Sequence, residues 1–474
     1  METFIEFLFA VLQQFFGGIW RAVSNFFLGL FDAVNIGGYL NTLGLWKENF
    51  SAAEWVLAIL VFLLIIGIIA GVIFLIVLII KRRIKLNFLL RHASPAAASS
   101  DPEEAASDAL KDGESRFYKL TQVDQQMANY DPDSEPFDND ITLEQICDKF
   151  RNFACSRLHL YYDERIIRLF VAGLSSTRLI ILQGISGTGK TSLPYAWGKF
   201  LENDAQIASV QPSWRDRTEL FGYFNEFTKR FSETEVLKKM YEASYTNKVY
   251  FTILDEMNIA RVEYYFAEML SILEMPSREE WIVDLVPSGW PSDPKHLTDG
   301  RFRLPENMWY IGTANNDDST FAISDKVYDR AIPINIDSKG KKYDAPDTGN
   351  LCLDYRHLEE MFRSAQEKHK VSQETLDKLD LLDDYVIAHF RLAFGNRIVK
   401  QLRDFVPAYV ACGGSEIDGV DYVLTNKILR KFEGLNLAFI RDEIDGLTDY
   451  LTELFGEENM GEAKAYLNRL KKIV

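Results

Sequence analysis

The chain of 474 residues carries 52 Lys and Arg against 69 Asp and Glu, a formal charge of −17, with 47% hydrophobic residues. That length has room for about three or four domains, and the acidic balance argues against a general nucleic-acid-binding surface, because neutralising phosphates needs a basic face. A small basic pore inside an acidic protein stays compatible with this charge. The four cysteines, Cys147, Cys155, Cys352 and Cys412, stand at no metal-ligand spacing, so they read as reduced packing residues and no disulfide framework or zinc site is expected.

In chain order, residues 2–32 repeat apolar side chains at spacings of three and four, with Glu6, Gln13, Gln14 and Arg21 largely on the other face. This pattern predicts an aromatic-rich amphipathic helix suited to a membrane interface. The competing topology is a second span over residues 4–31, which Arg21 and the glutamines oppose. Residues 55–80 form an apolar run of 26 residues, longer than the ~20 needed to cross a bilayer. The basic flank Lys81, Arg82, Arg83 and Lys85 then predicts that everything after it is cytoplasmic. Residues 1–91 balance to +2 and the remainder to −19, so the acidic character belongs to the cytoplasmic part.

The expected domains are an interfacial segment over 1–54, a transmembrane helix over 55–80, and a basic flank with an acidic, disordered linker over 81–140. A nucleotide-binding αβα domain over 141–340 and an all-helical domain over 341–474 follow. Within the linker, residues 116–127 are the piece that could order against the next domain. Helices are predicted over 144–160 and 163–174, and strands over 179–182, 207–210, 249–254, 309–313 and 331–336. Strands alternating with helices predict an α/β fold with a mainly parallel sheet covered on both faces.

The chemistry centres on residues 184–191, GISGTGKT, between an apolar strand and a helix. Glycines there let successive backbone N–H groups turn toward one anion, and the helix N-terminus adds its partial positive charge. Gly184, Ile185, Ser186, Gly187, Thr188, Gly189, Lys190, Thr191 and Ser192 are therefore the expected nucleotide contacts. Lys190 can reach the terminal phosphates, and the Thr191 hydroxyl can ligate Mg²⁺. A second apolar strand ends in Asp255-Glu256, 65 residues after Lys190. Asp255 is the expected Mg²⁺ partner and Glu256 the residue that activates the attacking water. Asn315, at the end of a third apolar strand, is a candidate for the γ-phosphate or that water, with Asn316 as its rival. Arg330 is a candidate for stabilising transition-state charge, in cis or from a neighbour.

The motifs GISGTGKT, LDEMN, GTANNDD and DKVYDRA in this order resemble the AAA+ ATPases, and within them the MoxR/McrB-like branch. The resemblance covers about residues 141–435. It implies a P-loop domain followed by a helical lid, assembled as a homo-oligomeric ring, usually hexameric, with each site completed by the neighbour. By that likeness Asn315 is the first sensor, Arg330 the arginine finger, and Arg397, in FGNR, the candidate for the second sensor of the lid, with Arg391 and Arg403 as its rivals. It further implies ATP, or GTP, with Mg²⁺, and a protein or nucleic-acid substrate. The segment 211–231, with its aromatics and Arg215, Arg217, Lys229 and Arg230, is either a pore lining or ordinary packing with a basic rim.

The sequence thus predicts a membrane-anchored NTPase that remodels or moves a partner macromolecule, in a setting such as bacterial defence. The rival readings are a GTP-driven motor subunit activating a separate nuclease chain, and a nucleotide-dependent membrane scaffold with little hydrolysis.

Overall fold

Five apolar strands with few charges inside them need cover on both faces, and the chain supplies it from helices before, between and after them. The computed structural model describes residues 114–315, 320–436 and 440–472, together with Asn41, residues 51–53, Trp55 and Val56. The amphipathic segment, nearly all of the apolar run 55–80, its basic flank and Asn316 lie outside the described residues. Among the described residues no helix is long and apolar enough to cross a membrane. The chain divides into two compact units, Met1–Glu104 and Ala105–Val474. In the first, Trp55 N–H donates to the Ser51 carbonyl at 3.1 Å; all that follows concerns the second.

The central sheet consists of β1 (Leu179–Gly184), β2 (Gln206–Ser209), β3 (Tyr250–Asp255), β4 (Met308–Asn315) and β5 (Ile332–Asn335). All pairings are parallel, in the order β5-β1-β4-β3-β2. Every strand therefore ends on the same edge, and the register sets Gly184 opposite Asn315. Side chains alternate between two cores: Ile180 and Leu182 join one, Leu179 and Ile181 the other.

Helices α1 (Tyr118–Gln126), α2 (Leu143–Leu158), α3 (Glu164–Ser176), α4 (Ser192–Phe200) and α5 (Glu235–Ala243) flank the sheet. Thr142 and Gln145 close a reciprocal capping box on α2, and Asp163 caps α3 through the Arg165 N–H. Two small antiparallel sheets accompany them: a hairpin of Gly222–Asn225 with Arg230–Glu233, and three strands, Ile282–Asp284, Leu297–Thr298 and Arg301–Arg303.

The C-terminal part is helical, as expected: α6 (Tyr355–Lys368), α7 (Gln373–Phe390), α8 (Asn396–Ala411), α9 (Glu416–Val423), α10 (Arg441–Phe455) and α11 (Gly461–Lys472). It is not a freestanding domain. Phe170 of α3, Trp197 of α4 and Phe405 of α8 belong to one continuous core. The hydroxyls of Ser175 and Ser176, at the end of α3, donate to the carbonyls of Asp404 and Gln401 on α8.

The assignment of 81–140 to a disordered linker needs correction from residue 114 onward. Arg116 is buried, its guanidinium doubly bonded to Asp293 at 2.9 and 2.8 Å and stacked 4.4 Å over Trp290. Its carbonyl accepts from Phe231 N–H at 2.8 Å, while Phe117 stacks on Phe231. Asp124, on α1, accepts the hydroxyls of both Tyr241 and Tyr245. Residues 116–127, the piece of the linker that could order against the next domain, do so because their few apolar and charged groups each find a specific partner.

Replacing Arg116 by Ala strands the Asp293 carboxylate, whose side chain is 6% exposed, without its cation. Removing one partner of a buried pair costs about 3–5 kcal/mol, and urea denaturation of the full chain carrying Arg116→Ala is expected to register a loss of that size.

Candidate nucleotide site

The loop after β1 turns through three glycines with positive φ, at Gly184 (139°), Gly187 (80°) and Gly189 (98°). At Gly184 a side chain is sterically forbidden as well as strained, because a Cβ would run into the carbonyl of Ile336. Lys190, 6% exposed, folds back so that its ammonium donates to the carbonyls of Gly184 (3.1 Å) and Ile185 (2.8 Å). A phosphate seated in the loop competes for that ammonium with these two carbonyls.

Three strand ends meet beside the lysine. Asp255 Oδ1 accepts from Thr191 Oγ1 at 2.7 Å and from Thr313 Oγ1 at 2.9 Å. The Thr313 oxygen accepts in turn from the Glu256 N–H at 2.8 Å. Glu256 occupies left-handed backbone (φ 52°, ψ 48°), a conformation that costs about 1–3 kcal/mol for a residue with a side chain. Asn315 Nδ2 donates to Glu256 Oε1 at 3.3 Å. The sequence-predicted Lys190, Thr191, Asp255, Glu256 and Asn315 thus converge on one edge of the sheet, where ligands of open α/β sheets bind.

The same residues suit Mg²⁺. A hydroxyl and a carboxylate stand 2.7 Å apart at the loop, and among the described residues no cluster of three or more His, Cys, Asp or Glu side chains could hold an ion alone. That donor set matches Mg²⁺, which takes one or two carboxylates and leans on substrate phosphates for the rest.

Several residues at this edge escaped sequence analysis. Buried Asn258 donates to the Asn315 carbonyl at 3.0 Å and to Thr320 Oγ1 at 2.9 Å, fixing the end of β4. A row of amides crosses from the sheet to the helical part: Gln183 Nε2 donates to Asn335 Oδ1, Asn335 Nδ2 to Asn426 Oδ1, and Asn426 Nδ2 to Glu462 Oε1. Isolated Asn and Gln carry no motif, so only their convergence identifies them.

Two clefts flank that row. One, of about 770 Å³, is bounded by Tyr162 and Asp163, by the irregular segment 336–343 after β5, and by Tyr422 and Arg469. Tyr162 ties it to the loop by donating to the Gly189 carbonyl at 3.3 Å, and burial pushes its phenol above the ordinary value. The other, of about 460 Å³, is lined by Asn258, Asn315 and Arg430. Arg469 of α11 borders both. Its guanidinium lies 4.8 Å from the Tyr466 ring, and no carboxylate pairs with it among the described residues.

Arg330 and Arg397 are elsewhere. The Arg330 carbonyl accepts from Thr177 Oγ1 at 2.8 Å, just before β1 begins, whereas the loop follows where β1 ends. Six residues at about 3.3 Å each separate the two edges. Arg397 accompanies Arg330, with both guanidiniums within 2.8 Å of Glu274. Arg397, the expected second sensor, therefore stands beside Arg330 and away from its own chain's loop. The physical reason is the seating of α8, whose first turns lie along the end of α3, the end away from the loop.

The segment 211–231 is split between packing and exposure. Phe221 and Phe231 are buried, Trp214 packs edge-on against Tyr265, and Arg217 and Arg230 pair with Glu268 and Glu114. Phe227, at the hairpin tip, is 95% exposed. Tyr265 and Phe266 are core residues, while Tyr264 is exposed.

Over 235 residues the chain is 24% identical to the type IV methyl-directed restriction enzyme EcoKMcrB subunit of Escherichia coli K12; the match takes in 47% of this chain and 49% of that protein. The chain therefore spans about half the length of the curated relative it matches. No family model matches the chain. The crystal structure of a full-length MCM homolog from Methanopyrus kandleri aligns over 70% of this chain and 62% of that one, at 12% identity and a TM-score of 0.33, too slight a likeness to carry an argument.

Thr313 touches both carboxylate positions without being a candidate acid, base or ligand. Thr313→Val is expected to cut turnover about 10- to 100-fold through misplacement of Glu256, with nucleotide affinity nearly unchanged and Thr313→Ser close to normal. Steady-state hydrolysis set beside equilibrium nucleotide binding measures this split.

Proposed function

We propose that the chain is a nucleoside triphosphate hydrolase of the AAA+ type, with ATP favoured, working as a homo-oligomeric ring. The observation that carries this reading is the meeting of Lys190, Thr191, Asp255, Glu256 and Asn315 at the end of a parallel sheet, 2.7 Å separating the loop hydroxyl from the Asp255 carboxylate. In that reading the loop N–H groups and Lys190 bind the phosphates, and Thr191 with Asp255 holds Mg²⁺, which would neutralise charge developing on the β- and γ-phosphates. Glu256 takes the proton of the attacking water, and Asn315 keeps Glu256 and that water in line. Arg330 serves the neighbouring protomer's nucleotide, since its edge of the sheet faces away from its own. Arg469 takes the lid role that sequence analysis gave to Arg397, supported by its position between the two clefts.

A second reading is favoured by the similarity to a restriction-enzyme subunit: a GTP-driven motor that activates a separate nuclease chain. A GTP preference with nucleic-acid-stimulated turnover would select it. A defence role and a remodelled or translocated macromolecule belong to both readings. A nucleotide-dependent scaffold is disfavoured by Glu256, which pure binding does not need.

Hydrolysis of ATP and GTP by the full chain across protein concentration tests the central claim. Specific activity is expected to rise with concentration. Lys190→Ala is expected to weaken nucleotide binding about 10- to 100-fold, the worth of a charged hydrogen bond. Glu256→Gln should keep binding and lose about 10²- to 10⁴-fold in turnover, the range of a general base. Wild-type protein without turnover, or a Glu256→Gln variant with normal turnover, overturns the assignment.

Anchoring through residues 55–80, with the NTPase unit cytoplasmic, is proposed on their apolar length and the basic flank that follows. The full chain is expected to stay in the membrane pellet through alkaline carbonate extraction and to leave it when residues 55–80 are deleted. Release of the intact chain by carbonate would reject the span.

A further inference from the structure

Four cations without an acidic partner line the cleft of about 770 Å³. Lys339, Lys341 and Lys342 lie on the segment after β5, and Arg151 stands on α2. Among the described residues no carboxylate pairs with any of the four, in a chain whose formal charge is −17. Arg165, on the same cleft, shows the usual arrangement, with Asp418 at 2.9 Å and Glu462 at 2.7 Å.

These cations stand on a fixed wall. A Cβ at Gly340 would run into the Tyr161 carbonyl, so the segment that carries the lysines presses on the backbone just before α3. Beyond the lysines, the Tyr343 hydroxyl donates to the Arg151 carbonyl at 2.9 Å, and the Tyr343 carbonyl accepts from Cys155 Sγ at 3.1 Å. The Arg151 guanidinium stacks 4.0 Å over the Tyr343 ring and gives its Nε to the Tyr162 carbonyl at 3.3 Å. Its two Nη groups meet no protein acceptor among the described residues. The carboxylates of the cleft are engaged or lie toward the loop: Glu462 serves Arg165 and Asn426, Asp163 caps α3, and Asp337 lies against Gly184.

The cleft opens directly off the phosphate loop. Tyr162 donates to the Gly189 carbonyl at one side, and Gly184 meets the Ile336 carbonyl, where the lysine segment begins, at the other. A nucleotide with its phosphates in the loop therefore extends its ribose and base into this cleft. In an ordinary triphosphate those two parts are uncharged at neutral pH, and they leave four cations with nothing to neutralise. We propose that Arg151, Lys339, Lys341 and Lys342 bind a second phosphate, carried on the ribose 2′ or 3′ oxygen of the bound nucleotide. The ligand class is a nucleotide phosphorylated at both ends of its ribose. Such a molecule shares the loop with the triphosphate and so inhibits turnover by competition. Lysines supply mobile point charges and the arginine a fork, a combination suited to phosphate. The inference rests on the hydrolase reading above, since it needs a nucleotide in the loop.

The test is competition against radiolabelled ATP or GTP, whichever the full chain binds. The competitors are the nucleoside 5′-monophosphate and its 2′,5′- and 3′,5′-bisphosphates. At least one bisphosphate is expected to compete about 10- to 100-fold better than the monophosphate, the worth of a charge-assisted hydrogen bond. That advantage should shrink as salt is added, because exposed charges are screened. Combining Lys339→Ala, Lys341→Ala and Lys342→Ala should bring the ratio of bisphosphate to monophosphate affinity close to one. Arginine at the same three positions should preserve it, which separates lost charge from a disturbed fold. If one triphosphate binds and both bisphosphates merely match the monophosphate, this proposal alone falls. It falls also if the advantage survives the three alanines, or if monophosphate with an equal concentration of inorganic phosphate competes as well as the bisphosphate. If neither triphosphate binds, the hydrolase reading falls and this proposal with it.

Discussion

Much of the candidate site hangs on one oxygen. Asp255 Oδ1 accepts from Thr191 of the loop and from Thr313 of β4, so three neighbouring strands deliver their ends to a single acceptor. Without it, the loop, the Asp255-Glu256 pair and Asn315 would share an edge but have no common reference point. The Thr313 hydroxyl extends the arrangement by taking the Glu256 N–H, which helps hold that residue in its left-handed backbone. Charge-assisted bonds of this kind are about twice as strong as neutral ones, which suits a small network asked to position groups finely.

The helical part is bonded directly to this edge. The amide row from Gln183 through Asn335 and Asn426 to Glu462 joins the last residues of β1 and β5 to α11, and Arg165 at the start of α3 closes on Glu462 and Asp418. One turn of the same helical stretch places Lys427 on the carbonyls flanking Arg330. Burial pulls the Lys427 ammonium down to about 7 against the pull of Asp329, a measure of how far from water this tie has been drawn. The clefts and the backbone around Arg330 are therefore bonded to one helical stretch, through Asn426 and Lys427.

The same economy appears at the start of the described part of the second unit. The segment that sequence composition assigned to a linker is fastened by Arg116 to Asp293 and by its carbonyl to Phe231. Phe231 lies in the hairpin whose tip exposes Phe227. Arg116 and Phe117 are thereby joined directly to the hairpin and to the turn between the first two strands of the three-stranded sheet.

Local pattern determined a good deal of this protein. Apolar runs marked the strands of the sheet, because the four strands buried along most of their length tolerate few charges, and glycine spacing marked the loop, because Gly184, Gly187 and Gly189 need positive φ. The pairing of Lys190 and Thr191 with Asp255 and Glu256 was legible for the same reason: the chemistry requires particular residue types at strand ends. Tertiary structure alone decided the rest. Thr313, Asn258, Asn335 and Asn426 are ordinary residues whose value lies in where their neighbours stand. Arg469 carried no motif, since which arginine borders the two clefts depends on how α8 and α11 pack against α3 and the sheet. The order of Arg116 depends on a carboxylate 177 residues away, a contact that no local pattern encodes.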